Sequence, residues 1–236
     1  MIKAVLFDLD GTLLPMNEDE FINKYFGLLT SKMAKYGYDK EKLSKSIWVG
    51  TKAMYENDGK NTNEDVFWNK VVTIYGESIL KDKDKFDEFY VNEFKETKSC
   101  CKENKLAREI VDFCKDNVEY VILATNPLFP RAGTLTRMSF IDLKEDDFDL
   151  VTTYEDQYFL KPNPKYFINI LEEFNLKPEE VIMFGNNNLE DALCSKQVGI
   201  KCYLVDGYII NNPHVEETFE IIKMEEVISK IKENLK

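Results

Sequence analysis

A short apolar run that ends in two acidic residues restricts the fold of this chain more than any other feature. Residues 2–7 are almost continuously apolar, and Asp8-Leu9-Asp10-Gly11-Thr12 follows at once. Such a run predicts a buried strand of a parallel sheet, because these strands are covered on both faces. Four similar runs lie further along, at Val118–Ala124, Leu150–Thr153, Val181–Phe184 and Lys201–Val205. Helical patterns separate the later runs, so the sequence predicts an α/β fold with a doubly wound parallel sheet.

Residues 17–100 show no convincing strand pattern and at least four helical segments. The first begins at an Asn17 cap with Glu18-Asp19-Glu20 in its opening turn and ends at Gly37. The other three cover roughly residues 40–56, 63–75 and 84–94. We therefore predict an all-helical domain, residues 17–100, which we call the cap. It is inserted into an α/β core made of residues 1–16 and 101–236.

Charge and composition exclude several classes of function. The chain has 31 Lys and Arg against 43 Asp and Glu, a net charge of −12, and no basic patch. This field repels nucleic acids and anionic lipids. No apolar run has the length of a membrane span, and the acidic start does not suit a signal peptide, so we expect a cytoplasmic protein. Five cysteines and a single histidine, His214, without metal-ligand spacing argue against disulfide and zinc sites.

Asp8 and Asp10 are the first candidates for chemistry. Side chains just beyond the carboxyl ends of parallel strands face the ligand crevice. Two carboxylates at positions i and i+2, on a turn loosened by Gly11, can converge on one point. That arrangement suits a divalent cation together with a nucleophile and a proton donor.

The sequence resembles the haloacid dehalogenase-like hydrolases at this point. The first motif of that family is Asp-x-Asp-x-Thr after a hydrophobic strand, and Asp8–Thr12 matches it. The second motif is a Ser or Thr after the next core strand, matched by Thr125 and followed by Asn126. The third is a lysine, matched by Lys161 in Lys161-Pro162-Asn163-Pro164. The motifs follow one another in the family's order over the whole chain.

The fourth motif departs from the family's usual Gly-Asp. Here the segment is Gly185-Asn186-Asn187-Asn188-Leu189-Glu190-Asp191, with Asn186 at the metal-ligand position and Asp191 as the downstream acid. An asparagine oxygen can coordinate Mg²⁺ but brings no charge, so it lowers the affinity. Metal binding is either retained, with Glu190 or Asp191 supplying charge, or lost. The run Thr125–Pro130 resembles a subgroup whose fourth motif begins Gly-Asn-Asp, which favours retention.

The resemblance implies a phosphatase that hydrolyses a small phosphorylated metabolite through an aspartyl-phosphate. Asp8 would be the nucleophile and Asp10 the proton donor, and Thr125, Asn126 and Lys161 would hold the phosphate. The second Asp of the first motif favours phosphate esters over carbon–halogen bonds. The Mg²⁺ ligands implied are Asp8, the backbone carbonyl of Asp10, Asn186 and Asp191.

Two other functions stay open. A catalytically weak member of the family could bind a phosphorylated ligand or partner, and the asparagines of the fourth motif suggest it. A receiver domain also uses acidic residues, Thr and Lys, but it has no cap. We expect a small-molecule partner, no nucleic acid and no membrane, with a monomer or a homodimer both possible.

A few remaining residues are given structural roles. Arg131 and Arg137 follow the second motif and could touch a substrate anion, but a helix surface is the commoner place for arginine. Cys100 and Cys101 are expected at the connection between cap and core. The aromatic residues of the cap helices are expected in its interior rather than around a ligand: Trp48, Tyr55, Phe67 and Trp68.

Overall fold

The strands form one sheet in which all neighbouring pairs are parallel. The computed structural model describes residues 1–235. Within them the strands are β1 (Ala4–Phe7), β2 (Tyr120–Leu123), β3 (Leu150–Val151), β4 (Val181–Gly185), β5 (Lys201–Val205) and β6 (Ile221–Ile222). Their order across the sheet is β3-β2-β1-β4-β5-β6. The predicted fold class is confirmed, and β6 is an additional edge strand that the sequence did not predict.

The helices cover both faces of this sheet. The described residues form nine α-helices: α1 (Glu18–Ala34), α2 (Lys40–Tyr55), α3 (Asn63–Tyr75), α4 (Lys83–Val91), α5 (Lys105–Asn117), α6 (Arg131–Ser139), α7 (Lys165–Glu173), α8 (Cys194–Gln197) and α9 (Val227–Asn234). Apolar residues of α5 and α9 join the core on one face of the sheet, and those of α7 and α8 join the core on the other. This two-sided cover is why the strands read as continuous apolar runs.

Alternating side chains of the central strands divide the core in two. Val5 and Phe7 belong to one cluster, and Ala4 and Leu6 to the other, as the period of two along a strand requires. On the first face the ring of Phe7 stacks on that of Phe184 with centroids 5.5 Å apart. Phe184 stacks in turn on Tyr203, at 5.6 Å. An aromatic ladder therefore joins β1, β4 and β5.

Only helical elements lie between residues 18 and 100 of the described chain. The Asn17 side chain caps α1 by accepting a hydrogen bond from the Glu20 backbone N–H at 3.0 Å, as predicted. The chain leaves the core and returns to it at neighbouring points, because Met16 and Cys101 form a β-bridge. A helical insertion over the core is thus present, and the exact boundary of the cap stays a prediction.

Aromatic packing joins the cap to the core. The Phe129 ring, from the loop after β2, lies 5.3 Å from the ring of Tyr25 and 6.0 Å from that of Phe94. Trp68 is buried as expected, but Trp48 is 53% exposed and Tyr55 is 44% exposed, so the assignment of these two residues to the cap interior is wrong. Trp48 lies on the edge of the cap, where it stacks on Phe26. No helix in residues 1–235 combines the length and apolarity needed to span a membrane.

Phe184 is the central ring of the aromatic ladder, which leads to a stability prediction. We expect Phe184→Ala to lower the free energy of unfolding by about 3–5 kcal/mol, because it leaves a cavity in a closely packed core. The matched change Ile168→Ala, at a side chain 38% exposed on α7, should cost less than about 1 kcal/mol. Urea unfolding of both variants measures the difference. Similar costs for the two would contradict the assigned role of the ladder.

Candidate active site

The candidate site lies where the strand order reverses direction, at the carboxyl ends of β1 and β4. Open α/β sheets bind ligands at such a switch point. Asp8 follows β1, Thr125 follows β2 and Asn186 follows β4, and all three line one cavity of about 160 Å³. Lys161 reaches the same cavity from the segment between β3 and α7. The topology therefore brings together residues that are far apart in the sequence, as predicted.

Lys161 is the charged centre of the site. Its side chain is only 1% exposed. The ammonium Nζ donates hydrogen bonds to Asp8 Oδ1 at 2.9 Å, to Asp191 Oδ1 at 2.5 Å and to the Ala124 carbonyl at 3.0 Å. An ammonium has three N–H donors, so all of them are used. Lys161 is thereby fixed next to the nucleophile candidate.

Asp191 is held from the opposite side. Its Oδ2 accepts hydrogen bonds from the backbone N–H groups of Asn186 and Asn187, both at 3.0 Å. A Cβ added at Gly185 would lie 2.4 Å from this carboxyl group, so only glycine fits there. Both oxygens of Asp191 are therefore occupied within the protein. Its contacts with the fourth motif and Lys161 suit a positioning role, and the direct metal-ligand role stays a prediction.

Arg137 contacts Asp10, although a surface position was the favoured expectation for this arginine. The guanidinium pairs with Asp10 Oδ2 and lies 4.4 Å from the centroid of the Phe129 ring. It is 1% exposed. That expectation is wrong because helical periodicity assigns Arg137 no partner, whereas the fold brings Asp10 to α6. Arg131 does lie on the surface, paired with Asp156 at 2.7 Å.

The Asn186 side chain is oriented by two neighbours. Its Nδ2 donates to the Tyr208 carbonyl at 2.8 Å, and its Oδ1 lies 3.4 Å from the Thr12 hydroxyl oxygen. The same hydroxyl lies 3.2 Å from Asp8 Oδ2. Gly11 has a φ of +80°, and a Cβ there would lie 2.2 Å from Asn186 Nδ2. The amide oxygen of Asn186 and a carboxylate oxygen of Asp8 thus lie on either side of one hydroxyl.

Asn126 and Glu190 link the site to the cap. Asn126 Oδ1 accepts from the Lys161 backbone N–H at 3.1 Å, and its Nδ2 donates to Glu190 Oε2 at 3.0 Å. The hydroxyl of Tyr55, on α2 of the cap, donates to Glu190 Oε1 at 3.2 Å. The contact between Tyr55 and Glu190 was not predicted, since sequence spacing carries no signal for a contact between cap and core. Thr125 is buried beside them in the wall of the cavity.

Negative charge is in excess around the cavity, which bears on a cation. Five carboxylates line it: Asp8, Asp10, Glu18, Glu190 and Asp191. Lys161 and the Arg137 that pairs with Asp10 are the cations opposite them. Asp10 Oδ1 is buried with no hydrogen-bond partner among the described residues. No cluster of three or more His, Cys, Asp or Glu with metal-site geometry occurs within residues 1–235, so oxygen donors of other kinds, such as the Asn186 side chain, also bear on a cation here. The oxygen donors fit a hard divalent cation.

The buried carboxyl groups have displaced pKa values. Burial raises the pKa of Asp8 to about 7 in spite of the Lys161 ammonium. Burial likewise raises the pKa of Asp10, against the effect of Arg137, and raises that of Glu190 to about 7. Burial disfavours the charge of Lys161, but Asp191 and Asp8 outweigh it and hold the pKa of Lys161 above its usual value. Without a bound cation, the site therefore takes up protons near neutral pH.

This displacement predicts how stability depends on pH. Folded Asp8 keeps its proton up to a pH of about 7, whereas the unfolded carboxyl loses it near 3.8. The folded state binds more protons in that interval, so the free energy of unfolding should fall as the pH rises through it. Asp8→Asn should make the fall shallower, while Asp206→Asn, at an exposed aspartate after β5, should not. Urea unfolding at several pH values, with a metal chelator present, measures how the free energy of unfolding of each protein changes with pH. If Asp8→Asn shows the same pH dependence as the unsubstituted protein, the raised pKa of Asp8 is contradicted.

Comparison with known proteins shows the family of this chain. A family model described as haloacid dehalogenase-like hydrolase matches residues 5–205. A phosphorylated carbohydrates phosphatase from Thermotoga maritima is 26% identical over 99% of this chain and 100% of its own length. A HAD phosphatase from Thermococcus onnurineus has a similar structure, with a TM-score of 0.63 and 20% identity over 98% of each chain. A 2-haloacid dehalogenase from Pseudomonas syringae has a TM-score of 0.64 and 16% identity over 99% of each chain. The chain belongs to the haloacid dehalogenase-like hydrolase family.

Proposed function

We propose that this protein is a Mg²⁺-dependent phosphatase that hydrolyses small phosphate monoesters through an aspartyl-phosphate on Asp8. One observation carries the proposal. Two aspartates two residues apart are held by different cations, Asp8 by Lys161 and Asp10 by Arg137. Two carboxylates in distinct environments suit two distinct roles, nucleophile and proton donor.

Asp8 would attack phosphorus. Its carboxylate lies in the cavity wall, where hydrogen bonds from Lys161 and the Thr12 hydroxyl fix its orientation. A nucleophile held in this way loses little freedom when the substrate binds. Attack would form the Asp8–phosphorus bond as the bond from phosphorus to the ester oxygen breaks, and water would then release phosphate from Asp8.

Asp10 would protonate the departing oxygen. Burial raises the pKa of Asp10, which allows its carboxyl group to carry a proton at the start of the reaction. After the alcohol leaves, the carboxylate would accept a proton from the attacking water. Arg137 would hold Asp10 in place through both steps.

Lys161 and Thr125 would hold the phosphoryl oxygens, since both lie in the wall of the same cavity. Lys161 would attract them by its charge and would exchange its present hydrogen bond to Asp8 for one to phosphate. Asn126, also expected to contact phosphate, has its side chain bonded to Lys161 and Glu190. Its effect on phosphate would therefore include fixing Lys161. Positioned donors of this kind stabilise the charge on a transferring phosphoryl group.

Mg²⁺ fits the oxygen donors of Asp8 and Asn186 together with the backbone carbonyl of Asp10. When bound, it would offset the excess negative charge of the cavity and so admit a phosphate anion. The Asn186 side-chain oxygen faces Thr12 and Asp8 because its nitrogen is bonded to Tyr208. This orientation supports retained metal binding.

The overall fold does not distinguish a phosphatase from a dehalogenase. Asp10 is the feature that favours phosphate esters over haloacids as substrates. Structures of a phosphatase and of a dehalogenase are about equally similar to this chain. The Thermotoga relative named as a phosphatase of phosphorylated carbohydrates aligns over nearly the whole chain. A catalytically weak, phosphate-binding protein remains the second candidate, because Asn186 lacks the charge of an aspartate ligand.

Hydrolysis of 4-nitrophenyl phosphate with millimolar Mg²⁺ tests the proposed reaction. We expect turnover that chelation abolishes and that Asp8→Asn lowers by more than about 10³-fold, because the nucleophile is removed. Asp206→Asn, an exposed aspartate after β5, should retain activity. Release of halide from a 2-haloacid without phosphatase activity would overturn the proposal. Absence of both activities would favour the binding protein.

The identity of residue 186 should set the affinity for Mg²⁺. We expect Asn186→Asp to lower the half-saturating Mg²⁺ concentration by about tenfold, because it adds a ligand charge. Without metal, the same variant should be less stable by about 1–2 kcal/mol, since a carboxylate then faces the Tyr208 carbonyl.

Asn69→Asp, at an exposed asparagine on α3, is the control for this change. It adds the same charge away from the site and should leave Mg²⁺ affinity unchanged. Calorimetric Mg²⁺ titration and thermal unfolding measure both effects. Equal Mg²⁺ affinities in the unsubstituted protein and both variants would show that residue 186 does not bind the metal.

A further inference from the structure

A second cavity, of about 90 Å³, lies between the cap and the core, beside the phosphate site. Aromatic and aliphatic side chains form most of its wall, among them Phe26, Phe67 and Phe86. Of the described residues that line it, Asp87 alone carries a charge, and Asp87 is exposed to solvent. The function proposed above assigns this cavity no role.

The two cavities share part of their walls. Ile22, Leu128 and Phe129 line both of them. Leu128 and Phe129 follow Thr125 by three and four residues, so the loop that would hold phosphate also forms the boundary of the apolar cavity. An organic group attached to a bound phosphate therefore has apolar surface within reach.

Helix α2 connects the same two places. Leu43, Ile47 and Thr51 line the apolar cavity, and Tyr55 lines the phosphate site. Residues four apart lie on one face of a helix, so this face runs from the apolar cavity to Tyr55. The hydroxyl of Tyr55 contacts Glu190 at 3.2 Å and marks the end of the face at the catalytic cavity.

Polar groups around the apolar cavity are bonded to one another. The hydroxyls of Tyr25 and Tyr90 are 3.0 Å apart, and Trp68 Nε1 donates to the Tyr154 hydroxyl at 3.3 Å. A polyhydroxylated group placed here would lose bonds to water and find few new ones, which is costly. An alkyl or aryl group would gain by burial.

We propose that this cavity binds the organic group of the substrate, and that the substrate is a monoester of phosphate with a short alkyl group rather than a sugar phosphate. The inference rests on the proposed phosphatase function and narrows its substrate class. A cavity of about 150 Å³ accommodates benzene, so this one holds about four carbon atoms on the same scale.

A series of unbranched alkyl phosphates, from methyl to octyl, tests the assignment. We expect kcat/KM to rise about fourfold for each methylene that enters the cavity and to level off once the cavity is full. Glucose 6-phosphate should be a poorer substrate than pentyl phosphate. Turnover of methyl phosphate tests the phosphatase function alone. A flat series with good turnover would overturn the apolar site and leave the phosphatase intact.

Binding provides a measurement that does not need catalysis. Trp48 and Trp68 are the two tryptophans of the chain, and both line the cavity. Alkyl phosphonates, whose carbon–phosphorus bond resists hydrolysis, should change tryptophan fluorescence with an affinity that rises with chain length. If this rise occurs without turnover of any ester, the cavity assignment stands and the catalytic proposal fails. Affinity independent of chain length would overturn the assignment.

Substitutions in the cavity complete the test. Thr51→Phe should fill it and reduce the ratio of kcat/KM for pentyl and methyl phosphate by at least tenfold. Thr73→Phe adds the same ring on the exposed side of α3 and should leave the ratio unchanged. If Thr51→Phe fails to fold, Ile47→Ala is the alternative because it enlarges the cavity. In this variant kcat/KM should continue to rise to longer alkyl chains before it levels off. An unchanged chain-length profile in a folded Thr51→Phe or Ile47→Ala variant would contradict the proposal.

Discussion

The buried ammonium group of Lys161 is the interaction on which the site depends. A charge placed at this depth without partners would cost several kcal/mol. Three acceptors surround it, from Asp8, Asp191 and Ala124. They come from segments that follow β1, β4 and β2. One side chain from a fourth segment therefore connects the ends of three strands.

This arrangement shows how the turn of the fourth motif is held independently of the side chain at position 186. Asp191 must stay in place to pair with Lys161, and its other oxygen is bonded to the backbone N–H groups of Asn186 and Asn187. Those bonds depend on the backbone and are the same for any residue at 186. Aspartate and asparagine at position 186 are therefore both compatible with this turn. They differ in the charge that they offer to a cation.

Much of the fold and part of the site can be predicted from local sequence. A continuous apolar run specifies β1, and the parallel topology then determines that Asp8 and Asp10 lie at the ligand edge. Lys161 is recognised because Lys161-Pro162-Asn163-Pro164 resembles the third motif of the family. In these cases the information lies within a few neighbouring residues. The rule that parallel strands present their carboxyl ends at the ligand edge of the sheet then places the side chains.

The parts that could not be predicted depend on contacts between distant segments. Arg137 has the spacing of a surface helix residue and becomes buried only because Asp10 lies opposite it. Tyr55 and Glu190 meet across cap and core, 135 residues apart. Strand β6 has two residues, and the pattern of so short an element carries almost no information. Trp48 looks like a core residue by type, yet its position on the edge of the cap leaves half of it in solvent.

The loop after β2 contributes residues both to the candidate active site and to the apolar cavity. Its first residues, Thr125 and Asn126, line the candidate active site, and its next ones, Leu128 and Phe129, line both this site and the apolar cavity. The Phe129 ring also packs against Arg137, which holds Asp10. A group that fills the apolar cavity would therefore contact the ring of Phe129, which touches Arg137, the partner of the proposed proton donor Asp10. Binding of the organic group and positioning of Asp10 are thus physically connected, so that a substrate of the wrong shape would lose binding energy and proton transfer together.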